Sequence, residues 1–225
     1  MRIGWFTTGR DREARELFES TLSWIRRGEI RGEVIFVFLN RERGEDREAD
    51  LFMDLAEREN IPLISLSSKK FEKRREFEAR AVELIEPFRP DICFLCGYML
   101  IVGEEMLKKF RMINLHPSLP GGPRGSWERV MDELARGDYD EAGAMIHLVT
   151  PELDVGPCIS YFSFPLKDLR DKTSSPEELS RLIREREFRG EIPLVLLTLR
   201  AISLGEIDLN KIKPLDFSEE IGRWL

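Results

Sequence analysis

The sequence predicts an α/β protein of a single domain, with a doubly wound, mostly parallel sheet and helices on both faces. Three observations carry that expectation. Short apolar runs alternate with longer amphipathic ones through the first hundred residues, the rhythm of repeated strand–helix units. Runs such as "EVIFVFLN" are apolar throughout, as strands covered on both faces are. A chain of 225 residues is also long enough to bury one sizeable core without a disulfide scaffold.

Taken in order, "RIGWFTT" (2–8) is the first strand, and the helix after it sets Ala14, Leu17, Phe18, Leu22 and Ile25 on one stripe before stopping near Gly28. "EVIFVFLN" (33–40) is the second strand. A charged turn leads to a helix with Leu51, Leu55 and Ala56 inward. "IPLISLS" (61–67) is a short third strand, 69–87 a long helix, and "DICFLCGYM" (91–99) a fourth strand. A short helix (103–110), the strand "RMINLH", a Gly/Pro-rich loop (117–126) and a helix (126–136) follow. Two more strands, "AGAMIHLVT" and "GPCISYFSF", are joined by "PELDVG". "SSPEELSRLI" then opens a helix, with Ser175 as N-cap, Pro176 at its first position and Glu178 closing a capping box. It continues in helical style to Gly205. The domain is expected to span 1–205, with 206–225 docking as a C-terminal extension.

Composition narrows the function classes. With 35 basic residues against 42 acidic ones, the net charge of −7 argues against a nucleic-acid partner. No apolar run approaches the ~18 residues of a membrane span, and the N-terminus lacks the regions of a signal peptide, so no membrane partner and a cytoplasmic location are expected. Cys93, Cys96 and Cys158 each sit in an apolar run and read as small buried residues of a reducing compartment. A strand would point Cys93 and Cys96 to opposite faces, and no metal is expected.

Open α/β sheets bind ligands beyond the carboxyl ends of their strands. "TTG", "CGYM" and "NLHPS" all reach that edge and should share a cleft, with the 117–126 loop hanging over it. Asn114 and His116 lie two apart, so an extended segment points both side chains to one face. A carboxamide donor beside an imidazole suits a carbonyl that becomes tetrahedral: Asn donates to the oxyanion while His moves a proton. Asp154, in the turn "ELDVG", is the best placed acid to orient that imidazole and raise its pKa. Asn-x-His alone fits a hydrogen-bonded strand end equally well.

"INLHPSLP", followed about forty residues later by "HLVTPELDVGP", resembles the folate-dependent formyltransferases, particularly the glycinamide ribonucleotide branch. The resemblance runs from residue 1 to about 205 and takes in "LCGYM". It implies the formyltransferase fold, and transfer of a formyl group from 10-formyltetrahydrofolate to the amine of a small molecule. Asn114 and protonated His116 would stabilise the oxyanion of a tetrahedral intermediate, and Asp154 with a bound water would support His116. The pterin would meet the backbone of Tyr98, Met99, Leu100, Ile101 and Val102 and the loop of Glu152, Leu153, Val155 and Gly156. His147 matches a family histidine on the strand before that loop. The oligomeric state is open, a homodimer included.

On the acceptor side the pattern departs. Where the purine enzymes have a small polar phosphate-holding turn, this chain has "TTGRDREA", with Gly9, Arg10, Asp11 and Arg12 as the substrate-side residues. Arg10 or Arg12 suits a phosphate, whereas Asp11 opposes one and equally reads as a charged helix start. Pro117 and Ser118 are expected to face substrate. A substrate-contacting glutamate of the family falls at Phe188, flanked by Glu187 and Glu191. Glycinamide ribonucleotide is the first candidate acceptor; an amino sugar nucleotide, a hydrolase using water, and a non-catalytic folate-binding homologue are the alternatives.

Overall fold

In the computed structural model, which describes residues 1–225, the chain divides into Met1–Asn114 with Val149–Pro151, and Leu115–Leu148 with Glu152–Leu225. The first unit holds β1 (Arg2–Thr7), α1 (Arg12–Arg26), β2 (Glu33–Leu39), α2 (Arg47–Arg58), β3 (Leu63–Ser65), α3 (Arg74–Ile85), β4 (Ile92–Leu95), α4 (Glu104–Leu107) and the Met112–Asn114 part of β5 (Met112–His116). Its strand order is β3-β2-β1-β4-β5, with every pairing parallel. The chain winds outward through β2 and β3, then crosses back to β4 and β5. This is the doubly wound arrangement, and its reversal falls between β1 and β4.

Neighbouring residues of a strand face opposite ways, and β1 uses this to build core on both sides. Trp5 meets Phe18 of α1 and Phe94 of β4, each with ring centroids 5.2 Å apart, and Phe18 in turn meets Phe52 of α2 at 5.1 Å. Phe6 packs on Phe38 at 4.9 Å, and Phe38 on Phe77 of α3 at 6.2 Å. Helices therefore cover both faces. Trp5, Phe6 and Phe38 are wholly buried, each contributing about 2–3 kcal/mol by its removal from water.

Three elements are shorter than expected. β3 pairs only through Leu63–Ser65. The helix expected over 69–87 is broken. Ser67 caps a 3₁₀ turn at Ser68–Lys70, Phe71 turns extended to set its ring 5.7 Å from Phe77, α3 runs Arg74–Ile85, and a second 3₁₀ turn holds Pro87. β4 stops at Leu95 instead of Met99. Gly97 turns the chain at φ 69°, a conformation open to glycine, and Met99 N–H donates to Thr8 Oγ1 at 2.9 Å instead of to a neighbouring strand.

The second unit holds the end of β5, α5 (Trp127–Arg136), β6 (Glu141–Leu148), β7 (Cys158–Pro165), α6 (Lys167–Arg170), α7 (Pro176–Leu204), β8 (Leu215–Asp216) and α8 (Ser218–Gly222). β6 and β7 pair antiparallel and β8 joins β7 in parallel. α7 lies on β6 and β7, where Gly190 leaves the space that the Phe162 ring fills and Ser160 Oγ lies 2.6 Å from Thr198 Oγ1. At its start Ser175 Oγ accepts from Glu178 N–H, while the Glu178 carboxylate reaches back to Ser174 N–H. The tail docks through the β7–β8 pairing and through Ile221, which is fully buried. The short α6 had no periodic signal in the sequence.

Candidate active site

β5 presents Asn114 and His116 two residues apart, the first partly buried in register with Leu95 of β4, the second 2% exposed. Around His116 the second unit gathers a compact polar cluster. Asp154 Oδ2 stands 3.7 Å from His116 Nδ1, and its other oxygen, Oδ1, stands 3.7 Å from Nε2 of His147. The two imidazoles lie edge to face, with centroids 6.2 Å apart.

Each member is aimed by its own local structure. His147 sits where β6 shifts register against β7 between Ile146 and His147, a bulge of the kind that re-aims a side chain, and its Nδ1–H donates to Leu148 C=O at 2.9 Å. Asp154 is carried at φ 56°, a left-handed position that aspartate tolerates better than most residues. Two residues later Gly156 packs against Leu148 C=O so closely that a Cβ would overlap that oxygen, with His147 Nδ1 only 3.2 Å away. The 117–126 loop closes the cluster from the other side. His116 Nε2–H donates to Pro123 C=O at 3.0 Å, and Gly125 N–H donates to Asp154 Oδ2 at 3.1 Å.

The charges follow from these contacts. Burial pulls the His116 pKa below its ordinary value, and it outweighs Asp154 and Pro123, which act to raise it. This corrects the expectation of a raised pKa: the carboxylate acts in the expected direction, but desolvation is larger. Burial also acts to raise Asp154, yet the two imidazoles that face its oxygens and the Gly125 N–H together hold it below the usual carboxylate range. The resting pair is therefore an ionised Asp154 beside a neutral His116. At 3.7 Å the two do not share a hydrogen bond, and a proton gained by the imidazole strengthens their attraction.

At the switch point of the first unit, the ends of β1 and β4 meet. Thr8 N–H donates to Gly97 C=O at 3.0 Å, and Thr8 Oγ1, while accepting from Met99 N–H, donates to Asn40 Oδ1 at 2.8 Å. From there Tyr98, Leu100 and Val102 turn toward the core while Met99 and Ile101 stay exposed. In the turn after β1, Gly9 N–H donates to Thr7 Oγ1, and Asp11 is the N-cap of α1, accepting from Ala14 N–H at 2.9 Å. Arg12 pairs with Glu16 at 2.6 Å, and Arg10 is exposed. Of the remaining residues expected to face substrate, Ser118 is buried with its N–H on His116 C=O, and Pro117 is half-buried. Of the second loop, Glu152 and Leu153 are exposed.

Sequence reasoning left His147 undecided and missed Pro123, Gly125, Thr8 and Asn40. Pro123 takes part through its backbone carbonyl and leaves no sequence signal; "TTG" at a strand end was the available hint for Thr8. Glu187 and Glu191 are both buried on α7, and Arg184 bonds to each, at 3.2 and 2.8 Å, with Trp127 and Phe188 against its guanidinium.

The sequence profile described as formyl transferase matches residues 1–192. The chain is 30% identical over 158 residues to the trifunctional purine biosynthetic protein adenosine-3 of Bos taurus, a match covering 68% of this chain and 15% of that protein. It is 32% identical over 141 residues to the phosphoribosylglycinamide formyltransferase of Escherichia coli K12, covering 61% of this chain and 62% of that one. Among solved structures, glycinamide ribonucleotide transformylase 1 from Symbiobacterium toebii superposes with a TM-score of 0.75 at 25% identity, covering 96% of this chain and 94% of that chain. The chain belongs to the formyl transferase family.

Proposed function

We propose that the protein transfers a formyl group from 10-formyltetrahydrofolate to the amine of a small molecule, with glycinamide ribonucleotide as the first candidate, as the names of its relatives suggest. The observation that carries this reading is the buried His116–Asp154–His147 cluster at the end of β5, an acid–base set directly after Asn114. In this reading the amine attacks the formyl carbon to give a tetrahedral alkoxide bearing an ammonium. Asn114 donates to the alkoxide. Neutral His116 takes the ammonium proton, the ionised Asp154 stabilises the imidazolium so formed, and the proton passes to the departing folate nitrogen as the carbon–nitrogen bond breaks. Tyr98–Val102 and Glu152–Gly156 hold the pterin, and residues 1–205 form the catalytic part with 206–225 as its extension.

The acceptor reading is tested by incubating the protein with 10-formyltetrahydrofolate and glycinamide ribonucleotide, an amino sugar nucleotide, or no amine, while following tetrahydrofolate release. Release with glycinamide ribonucleotide alone is expected. Release with the sugar nucleotide alone reassigns the acceptor, and release without amine makes the protein a hydrolase.

A further inference from the structure

The segment 98–102 leaves the end of β4 without a strand or helix of its own, yet it is fastened at both ends by buried side chains. At the near end Met99 N–H donates to the hydroxyl of Thr8, a residue 3% exposed. At the far end Gly103 N–H donates to Glu78 Oε1 at 2.7 Å, and Glu78, on the middle of α3, is 5% exposed. Between the two, Tyr98 and Val102 pack onto the core that contains Phe6, Phe38 and Phe77.

A buried carboxylate is costly unless it is used. Glu78 has Arg74, one turn earlier on α3, with Nε 3.5 Å from Oε1, while Glu105 on α4 acts against its charge and Tyr98 feels it from the segment itself. Burial lifts its carboxyl above the usual range, against the Gly103 N–H and Arg74, which pull it down. Position 103 is shaped for this contact. A Cβ there would overlap Glu78 Oε2, so a side chain at 103 would push the carboxylate away from the backbone. Gly103 is also the N-cap of α4 and has no side chain with which to cap it.

We propose that Glu78 is a positioning residue that, opposite Thr8, holds the 98–102 backbone in place so that its amides and carbonyls are preset for the pterin of the formyl donor. The proposal rests on the reading of Tyr98–Val102 as pterin contacts. Glu78 itself touches no ligand; it acts through Gly103.

Binding of tetrahydrofolate, followed by quenching of intrinsic fluorescence, tests this in the full chain, with steady-state kinetics alongside. E78L fills the buried site but removes the acceptor, and E78Q restores an acceptor oxygen. E78L is expected to weaken tetrahydrofolate binding by roughly tenfold or more, the scale of one lost hydrogen bond to a charged group, and to raise the KM for donor with little change in kcat. E78Q should return to within about threefold of wild type. Amide hydrogen exchange at Gly103 should accelerate in E78L and not in E78Q. E78L binding like the unaltered protein overturns the positioning role and leaves the folate reading standing. Failure of the unaltered protein to bind tetrahydrofolate overturns the folate reading itself.

Discussion

Asp154 offers one carboxylate oxygen to each of two buried histidines, and its Oδ2 stands 3.7 Å from His116 Nδ1, too far for a hydrogen bond and close enough to respond when the ring gains a proton. In a site this buried, a carboxylate that answers only the charged form of an imidazole stabilises a reaction intermediate more than the resting state.

Removing either partner should therefore remove most of the catalysis. Asp154→Asn keeps the shape and an acceptor for Gly125 N–H but not the charge, and His116→Ala removes the base. Each is expected to lower kcat by roughly two or more orders of magnitude. Because the two act as a unit, the double variant should be only slightly worse than the poorer single one. Steady-state rates of tetrahydrofolate formation check this, and near-normal rates in both single variants contradict the assigned roles.

Acid should destabilise the fold through the same two groups. His116 is held below its ordinary 6.5, so between that value and its folded pKa the unfolded chain binds a proton that the folded chain does not. Stability from this group is full above the unfolded value and falls as the pH drops toward the folded one. Asp154 is lowered from 3.8, so its contribution is present above the unfolded carboxylate value and disappears as pH falls through the folded value, a more acidic window. Urea midpoints measured across this range should decline below about pH 6.5, and His116→Asn should flatten the upper part of the decline.

Gly156 should tolerate no side chain. A Cβ at this position overlaps Leu148 C=O, a backbone atom that cannot rotate away, and would push on His147. Gly156→Ala is expected to cost at least about 1–3 kcal/mol and to lower activity further by displacing His147 and Asp154. Thermal unfolding of the variant, with activity measured well below its midpoint, separates the two effects.

Asp11 should trade stability against anion binding. It caps α1 through Ala14 N–H, so Asp11→Ala should cost about 1 kcal/mol. Asp11→Ser keeps a cap but frees the helix start of negative charge. If the acceptor's phosphate docks there, the KM for glycinamide ribonucleotide should fall several-fold in Asp11→Ser. An unchanged KM places the phosphate elsewhere.

The strand–helix rhythm of the first unit was legible because apolar runs such as Val34–Leu39 really are covered on both faces. Asn114 and His116 were legible because two residues on one strand need no tertiary information to be placed. The extent of β4 was not, since it depends on Gly97 turning and on Thr8, about ninety residues away, accepting the Met99 amide. The raised pKa expected for His116 was a pairwise inference; the burial that reverses it belongs to the whole fold. His147 becomes part of the cluster through a bulge and a left-handed aspartate, which no periodicity reports. The cap at Asp11 was readable as a charged helix start, and the structure forms it through Ala14 N–H.

The most direct test of the central claim is the single-turnover rate of tetrahydrofolate formation from 10-formyltetrahydrofolate and a saturating amine, measured against pH for the unaltered protein and for His116→Asn. The rate should rise with pH along a limb whose midpoint lies below 6.5, as His116 becomes the neutral base, and this limb should vanish together with most of the rate in the variant. A variant that keeps both the limb and the rate would show that formyl transfer here does not run through His116.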